Sequence, residues 1–376
     1  MTSKLMVVTN HKPSVLLAKG EYIPRYYNPE DLFDEVHLLL TNHDHPASAD
    51  LQKPAGRAKV FVHNLPTPDI RWTLGWQIPL MRGWLQRGVE IARAVDPNLM
   101  RVHNNFQDGY LAREIKRQLG IPYVLSIHHS HWQHAETLPQ ILLRLIWRKF
   151  ERSSVQAADG VIAVYASNLH YAEKLRGNNP RLIYNVVSDR IPVKRSYALH
   201  KPPRLITVSK QFKYKNPENI IRALQSIDCE YWIVGSGPYH ERLVALVRDL
   251  NMEDKVTFVK GMDNAELTRQ LKDFDLHVTH CDNWGMSKTV TEASLAGLPT
   301  LINYHPVRPI PEYAGDWLAR CANTPEAYAA AIGELLADND QRQQLGRRAR
   351  QHAKEAFDPV KMEASLAQLY RETIRP

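Results

Sequence analysis

The chain alternates short apolar runs with longer amphipathic stretches. The runs are mostly four to six residues long and rich in Val, Ile and Leu, which is typical of parallel strands covered on both faces. A first series of predicted strands is Leu5–Thr9, Glu35–Leu40, Ala58–His63, Leu99–His103, Tyr123–His128 and Val161–Val164. A second series is Arg204–Val208, Cys229–Val234, Lys255–Val259, Leu276–Thr279 and Thr300–Asn303. Helical patterns such as Pro79–Val95 lie between many of them, so we predict an α/β chain with two doubly wound parallel sheets.

A proline-rich basic segment separates the two series. Residues 190–204 hold three prolines and five basic residues without a convincing period, which is typical of a linker. We therefore predict a first domain over 1–190, a linker over 191–203 and a second domain over 204–358. Residues 359–376 predict a helix with Met362, Leu366, Leu369 and Tyr370 on one side, and we expect it to pack back on the first domain.

Composition narrows the class of protein. Of 376 residues, 44% are hydrophobic and 23% charged, a balance that excludes disordered and low-complexity chains. The longest apolar runs fall short of the roughly 18 residues of a membrane-spanning helix, and the first residues lack the pattern of a signal peptide. Three widely spaced cysteines fit neither a disulfide framework nor a zinc site. A cytoplasmic location follows as the expectation, including the inner face of the cytoplasmic membrane.

The net charge of +8 lies in the first part of the chain. Residues 51–200 hold 21 Lys and Arg against 10 Asp and Glu, whereas residues 201–376 hold 23 of each. Such an asymmetry suggests an anionic partner, although an ordinary solvated basic surface explains it equally well. Nucleic acid would match the charge, but no aromatic and basic nucleic-acid motif is present, so we do not expect it as a partner.

Tryptophan and arginine alternate in two segments of this basic region. Trp72, Trp76 and Trp84 lie among arginines in the first segment, and Trp147 in the second. Amphipathic helices of this composition can lie on anionic lipid, which favours peripheral membrane contact. The alternative is that these tryptophans fill the core of the first domain.

Two turns that follow strands of the second series carry lysines and glycines. Ser209, Lys210 and Lys215 lie between a strand and a helix, where two lysines five residues apart can converge on an anion. Gly235 and Gly237 follow the next strand and permit a tight turn or the close approach of a ligand. Taken alone, the first turn also fits a solvated basic loop, and the second a purely structural turn.

A third segment follows the strand Leu276–Thr279. A loop leads into a helix that carries Glu292, and Gly297-Leu298-Pro299 leads into the next strand. Amides at a helix start suit phosphate or sugar hydroxyls, and Glu292 can accept hydrogen bonds from a ribose diol. Doubly wound sheets bind ligands beyond the carboxyl ends of their strands. The candidate binding residues here are Asp282, Gly285, Met286, Ser287, Lys288, Thr289 and Glu292.

In their order and spacing, these segments resemble the carboxyl-terminal domain of the family 4 retaining glycosyltransferases. The resemblance covers Leu205 to Asp358 well. Val234–Pro238 and Gly297–Pro299 match the family motifs, and Lys210 stands where the family has an arginine. The resemblance implies the GT-B fold, in which two Rossmann-like domains face each other across a cleft. It also implies a nucleotide-sugar site in the second domain and an acceptor site in the first.

One position departs from the family pattern. The family commonly places two glutamates eight positions apart, at the donor sugar and at the ribose. Glu292 matches the second glutamate, but Trp284 occupies the position of the first. Asp282 would substitute for the missing glutamate if the loop were shifted.

The first half resembles the family more loosely. His128 matches the histidine that contacts the donor sugar, His103 a mainly structural histidine, and Asn185 the asparagine that closes the first domain. Lys19 and Gly20 stand in for a glycine pair after the first strand, and we expect them near a phosphate of the acceptor or donor.

The resemblance implies transfer of a sugar, with retained anomeric configuration, from a UDP- or GDP-linked donor to a polysaccharide, lipopolysaccharide or lipid-linked acceptor. Lys210 and Lys215 would neutralise the departing diphosphate, and His128 would assist at the sugar. His128, His129, His131 and His134 beside Glu136 also suggest a metal, but metal enzymes of this kind need a carboxylate pair. We therefore expect no metal and no other cofactor. A sugar-nucleotide epimerase of the same fold and a non-catalytic nucleotide-sugar-binding protein are the alternatives.

Overall fold

Two parallel sheets organise the chain, each within its own compact unit. Unit 1 comprises Met1–Asn185 and Val360–Pro376, and unit 2 comprises Val186–Pro359. The computed structural model describes residues 2–68, 78–128, 138–185, 187, 190–215, 217–282, 285–305, 307 and 309–374, apart from the side chains of 78–80 and 138–147. The predicted fold class, with two Rossmann-like parallel sheets, is confirmed.

Unit 1 is built on a seven-stranded sheet in the order β3-β2-β1-β4-β5-β6-β7. Its strands are β1 (Lys4–Thr9), β2 (Glu35–Leu40), β3 (Lys59–Asn64), β4 (Leu99–Val102), β5 (Tyr123–Ile127), β6 (Gly160–Ala163) and β7 (Pro180–Leu182). Its helices are α1 (Pro13–Ala18), α2 (Gln52–Ala55), α3 (Ile78–Val95), α4 (Gln107–Leu119), α5 (Leu138–Ala157) and α6 (Ala166–Lys174), with 3-10 turns at Pro29–Asp31 and Ser48–Leu51. The strands pair in parallel, which places their carboxyl ends along one edge.

Both faces of this sheet are covered, as the continuous apolar runs predict. Met6 and Val8 of β1 pack in one cluster with residues of α3 and α4. Leu5 and Val7 pack in a second cluster on the other face, together with Leu369 and Tyr370. Successive residues of a strand point to opposite faces of the sheet. Because both faces are covered, all four of these β1 side chains are fully buried.

Unit 2 is built on a six-stranded sheet in the order β10-β9-β8-β11-β12-β13. Its strands are β8 (Arg204–Val208), β9 (Glu230–Val234), β10 (Val256–Val259), β11 (Leu276–Thr279), β12 (Thr300–Asn303) and β13 (Ala319–Cys321). Its helices are α7 (Glu218–Ala223), α8 (His240–Asp249), α9 (Asn264–Gln270), α10 (Lys288–Leu295), α11 (Pro325–Ala337) and α12 (Asn339–Ala356), with 3-10 turns at Lys213–Lys215, Leu224–Ser226, Leu271–Asp273 and Pro311–Tyr313. Apolar clusters again cover both faces.

The segment predicted as a linker is an ordered part of unit 2. The Lys194 N–H donates to the Ala296 carbonyl at 2.8 Å, and the Tyr197 hydroxyl donates to the Gly297 carbonyl at 2.9 Å. The His200 amide and ring both contact the Asp275 carboxylate. Hydrogen bonds of this kind attach the segment to the body of the unit along much of its length.

The last helix, α13 (Pro359–Thr373), packs in unit 1. Leu369 and Tyr370 are fully buried in the second cluster, and Met362 and Leu366 pack against it. The Arg25 guanidinium forms an ion pair with the Glu363 carboxylate at 2.8 Å. The last helix of the chain therefore belongs to unit 1, although it follows unit 2 in the sequence.

Candidate functional site

The carboxyl ends of three adjacent strands of unit 2, β9, β8 and β11, bring the three predicted segments together. The Ser209 N–H after β8 donates to the Val234 carbonyl of β9 at 3.0 Å. The Thr289 hydroxyl of α10 donates to the Val208 carbonyl at 3.1 Å, and the Asp282 N–H donates to the Tyr214 carbonyl at 2.9 Å. Residues distant in sequence thus form one site, defined here as the loop site: 209–215, 235–240 and the described part of 281–292.

Gly235 and Gly237 allow two of these loops to touch backbone to backbone. Gly235 has φ +135°, and a Cβ there would lie 2.0 Å from the Ser209 carbonyl oxygen. A Cβ at Gly237 would lie 2.3 Å from the Gln211 carbonyl oxygen. Only glycine fits such approaches without displacing the neighbouring backbone. The structural interpretation of this turn is therefore sufficient to explain both glycines.

Gln211 holds the two glycine-bearing loops together, a role the sequence did not reveal. Its side chain is fully buried; the amide donates to the Gly235 carbonyl at 2.9 Å, and Oε1 lies 2.7 Å from His240 Nδ1. Its backbone N–H donates to the Ser236 carbonyl at 3.0 Å. A glutamine in a lysine-rich turn carries no sequence signal that separates it from a solvated polar residue.

The two predicted lysines lie on the turn that follows β8. Lys210 is exposed and Lys215 half-buried, and the Ser209 hydroxyl donates to the Lys215 carbonyl at 3.2 Å. Across the described residues, neither ammonium group forms an ion pair. The turn therefore presents two uncompensated positive charges at the loop site, which suits an anionic ligand.

Helix α10 begins at the loop site. The Ser287 N–H, just before the helix, donates to the Tyr313 hydroxyl at 2.7 Å, and the Ser287 and Thr289 hydroxyls lie 2.9 Å apart. Gly285 and Met286 are buried under this start. The first amides of a helix have no partner within it and carry partial positive charge, so the start of α10 also suits an anion.

Glu292 lies one turn further along α10 and is 1% exposed. The Asn264 amide donates to its Oε1 at 2.8 Å, and the Lys288 ammonium lies 3.6 Å from the same oxygen. A buried carboxylate needs such partners. Asn264, the first residue of α9, was not predicted, and sequence alone offers no sign that it reaches Glu292.

Asp282 is an ionised carboxylate held at the end of β11. His280 Nε2 lies 3.0 Å from its Oδ2, and the Asn303 amide donates to its Oδ1 at 3.0 Å. The hydrogen bond from His280, followed by its charge, keeps the pKa of Asp282 below the usual value. This anchoring leaves part of the side chain exposed. Trp284, at the family's other glutamate position, lies outside the described residues.

Three histidines cluster at the carboxyl edge of the unit 1 sheet. His128 follows β5, His103 follows β4, and His11 follows β1. Their ring centroids lie 5.7 to 6.0 Å from one another. Burial, followed by the charge of Arg101, holds the pKa of His103 well below its usual value, so this ring is neutral at physiological pH. His11 was not predicted; its only signal is its position after the first strand.

Lys19 and Gly20 form the end of helix α1. Gly20 has φ +62°, its N–H donates to the Leu17 carbonyl at 2.9 Å, and the Glu21 N–H donates to the Leu16 carbonyl at 3.0 Å. This is the turn that commonly ends a helix. Helix termination therefore accounts for the glycine, and the phosphate role stays a prediction.

Trp84 is not a surface residue, which corrects one part of the predicted membrane segment. It is 4% exposed, and its indole N–H donates to the Leu65 carbonyl at 3.0 Å. The core interpretation is therefore right for Trp84. The other predicted tryptophans and the metal candidates after His128 lie outside the described side chains: Trp72, Trp76, Trp147, His129, His131, His134 and Glu136.

Two features are absent from the described residues. Within them, no group of three or more His, Cys, Asp or Glu side chains is arranged to hold a metal ion. No helix there is long and apolar enough to cross a bilayer.

A lysine turn, a helix start and a buried glutamate thus lie beyond the carboxyl ends of parallel strands, the place where doubly wound sheets bind ligands. Comparison with known families identifies the protein family. Residues 189–352 match the model of glycosyl transferases group 1, and residues 31–190 match that of glycosyltransferase family 4. The chain therefore belongs to the family 4 glycosyltransferases, and it is a glycosyltransferase.

Individual relatives are distant. The chain is 24% identical over 306 residues to N-acetyl-alpha-D-glucosaminyl L-malate synthase of Bacillus anthracis, a match covering 76% of this chain and 77% of that protein. It is 27% identical over 195 residues to a GDP-mannose-dependent alpha-(1-6)-phosphatidylinositol monomannoside mannosyltransferase of Mycobacterium tuberculosis, covering 48% and 51%. The structure of Anabaena Alr3699/HepE in complex with UDP-glucose matches with a TM-score of 0.73 at 16% identity, covering 98% and 99%. This structural match is evidence for the fold.

Proposed function

We propose that this glycosyltransferase is a retaining, metal-independent enzyme whose loop site binds a nucleotide-diphosphate sugar. One observation carries the proposal. The start of α10, the buried carboxylate of Glu292 and the lysine turn meet at the carboxyl edge of the unit 2 sheet. A diphosphate needs positive charge and amide donors, and a ribose diol needs a buried acceptor.

Each group has a distinct role in this proposal. Amides of Met286 and Lys288 hold the diphosphate and the sugar, whereas the Ser287 N–H, predicted with them, is donated to the Tyr313 hydroxyl. Lys210 and Lys215 stabilise the negative charge that develops on the leaving diphosphate, which is the role a divalent ion plays in other enzymes. Glu292 accepts hydrogen bonds from the ribose. Because Asp282 is ionised and held by His280 and Asn303, we assign it to a sugar hydroxyl in place of the family's first glutamate.

The reaction breaks the bond between the anomeric carbon and a diphosphate oxygen. The acceptor oxygen forms its bond to the same face of that carbon, and the acceptor proton passes to the leaving phosphate. The family resemblance implies that His128 assists at the sugar, and a loss of kcat in His128→Ala tests this role.

The relatives suggest the classes of donor and acceptor. One solved neighbour is a complex with UDP-glucose, and one relative is named as GDP-mannose-dependent with a phosphatidylinositol monomannoside acceptor. We therefore assign a UDP- or GDP-linked sugar as donor and a glycan or lipid-linked glycan as acceptor. The matched family models describe glycosyltransferases, which favours transfer over epimerisation.

The donor site is tested by thermal unfolding with a panel of nucleoside diphosphates and their sugars, with and without magnesium. A ligand at 100 times its Kd stabilises by about 2.7 kcal/mol. We expect one nucleotide to raise Tm without magnesium, and Glu292→Ala to abolish the rise. Glu266→Ala, on the exposed face of α9, is the matched control and keeps it. A wild-type protein that no nucleotide stabilises would contradict the donor site.

The reaction class is tested with the donor so identified. NMR of the product should show the anomeric configuration of the donor, and the rate should persist in EDTA. Turnover of the donor sugar without an acceptor would instead indicate an epimerase.

A further inference from the structure

A cavity of unit 2, apart from the loop site, lies between the segment 193–197 and helix α12. Its volume is about 590 Å³, within the range of small-molecule sites. Arg195 lines it from the segment, and Arg347, Arg350 and Lys354 line it from the helix. None of the lining residues belongs to the loop site, so this is a separate feature of the unit.

Three of its cations lie on one face of α12. Arg347, Arg350 and Lys354 are spaced three and four residues apart, which places them side by side on a helix. Like charges at this spacing repel each other and destabilise the helix. Both arginines also lie close enough to the Tyr197 hydroxyl to lower its pKa, although burial raises that pKa overall. Tyr197, Arg347 and Arg350 line the same cavity.

Among the described residues, these four cations have no carboxylate partner. Across the described residues, Arg195, Arg347, Arg350 and Lys354 form no ion pair. Arg350 Nε is buried and has no hydrogen-bond partner there. Glu355, the carboxylate among the lining residues, accepts a hydrogen bond from Gln351 at 3.0 Å.

The neighbouring cations, in contrast, each have a hydrogen-bond or ion-pair partner. The Lys194 ammonium, although its residue lines the cavity, donates to the Phe274 carbonyl at 2.6 Å. Arg348, on the same helix, forms an ion pair with Asp316 at 3.5 Å. Arg342 donates to the Leu335 carbonyl at 2.7 Å. Of the cations on α12 and on the segment 193–197, those without such a partner among the described residues therefore all line the cavity. The buried Nε–H of Arg350 costs free energy that a bound anion would recover.

We infer that this cavity, defined here as the α12 groove, binds a ligand bearing phosphate groups with at least two negative charges. Guanidinium groups match phosphate oxygens in a two-pronged geometry, and several of them around one cavity suit a multiply charged anion better than a single carboxylate. The ligand is either a soluble phosphate compound or the phosphate headgroup of an anionic lipid.

Inorganic pyrophosphate is the probe, measured by calorimetry. To remove binding at the loop site, the background carries Lys210→Ala and Lys215→Ala. Onto it we add Arg195→Gln with Arg347→Gln, both exposed residues whose change leaves the core intact. The control adds Arg348→Gln alone, which removes one charge from the same helix outside the groove, and it is compared with Arg347→Gln alone, which removes one charge inside it. Circular dichroism checks that each variant folds.

We expect the background protein to bind pyrophosphate, the groove variant to lose roughly tenfold or more in affinity, and the control to keep it. Equal affinity in the groove variant and the background, or no binding by the background, would overturn the inference. Nucleotide stabilisation of the wild type is measured separately, so failure here leaves the proposed donor site untouched.

Vesicles distinguish the two sources of phosphate. Protein with intact groove residues is sedimented with phosphatidylcholine vesicles that contain or lack phosphatidic acid. A lipid headgroup is identified if three results agree. Cosedimentation requires phosphatidic acid, the groove variant no longer cosediments, and the Arg348→Gln variant still does. Pyrophosphate binding without such cosedimentation identifies a soluble ligand.

Discussion

Replacing Gly235 with alanine tests whether backbone contact between two loops builds the loop site. The new Cβ would lie 2.0 Å from the Ser209 carbonyl oxygen and 2.9 Å from its carbon. Neither atom can rotate away, because both belong to the backbone. Gly235 also has φ +135°, a conformation that alanine rarely adopts.

The size of the effect follows from these two costs. An alanine in such a conformation costs about 1–3 kcal/mol, and forcing a packed neighbour to move typically costs about 1–3 kcal/mol more. Taking about 4 kcal/mol as the central value of the sum, we expect the Tm of unit 2 to fall by roughly 8–16 °C. Nucleotide binding should weaken as well, because the displaced Ser209 precedes Lys210.

Differential scanning calorimetry measures the Tm, and nucleotide titration measures the affinity. Gly333→Ala is the control. This glycine is exposed in the middle of α11, and a Cβ there meets nothing within 4 Å. We expect it to stabilise by about 1 kcal/mol. A Gly235→Ala protein with wild-type Tm and wild-type nucleotide affinity would refute the reasoning.

Three further predictions concern buried groups. Burial raises the pKa of Asp108 to about 7, so the folded protein holds a proton that the unfolded chain releases near pH 4, and stability should fall as pH rises from about 4 to about 7. Urea unfolding at several pH values should show a smaller fall in Asp108→Asn than in the wild type; an unchanged slope would contradict the shift. Trp84→Ala should cost about 3–5 kcal/mol by chemical denaturation, since it empties a core position, and a cost under 1 kcal/mol would place Trp84 outside the core. Gln211→Ala should cost about 1–3 kcal/mol and weaken nucleotide binding, because the Gly235 carbonyl loses its donor; unaltered binding by titration would show that Gln211 does not support the site.

The strands show how much of the fold the pattern of apolar residues predicts. The apolar runs predict β1 to β6 and β8 to β12 to within about two residues, because a strand covered on both faces must be apolar throughout. They do not predict β7 or β13, the three-residue strands at the edges of the two sheets. Pro180–Leu182 and Ala319–Cys321 contain too few apolar residues to stand out, and they are strands because a neighbouring strand offers them a partner.

The candidate site divides in the same way. Gly235, Glu292 and Lys210 are found from sequence, because glycine spacing and position after a strand are local properties. Their partners are not, since Asn264 reaches Glu292 across 28 positions, and Thr289 reaches the Val208 carbonyl across 81.

By itself, the sequence determined the two-sheet architecture, the family and the segments that follow the strands, because each depends on residues close together in the chain. Only the tertiary structure decided that Trp84 belongs to the core, that Gln211 joins two loops and that two arginines of α12 line one groove with Arg195. These facts depend on which side chains meet after distant segments pack. Hydrogen bonding and charge compensation between such segments are properties of the folded chain, and no local pattern encodes them.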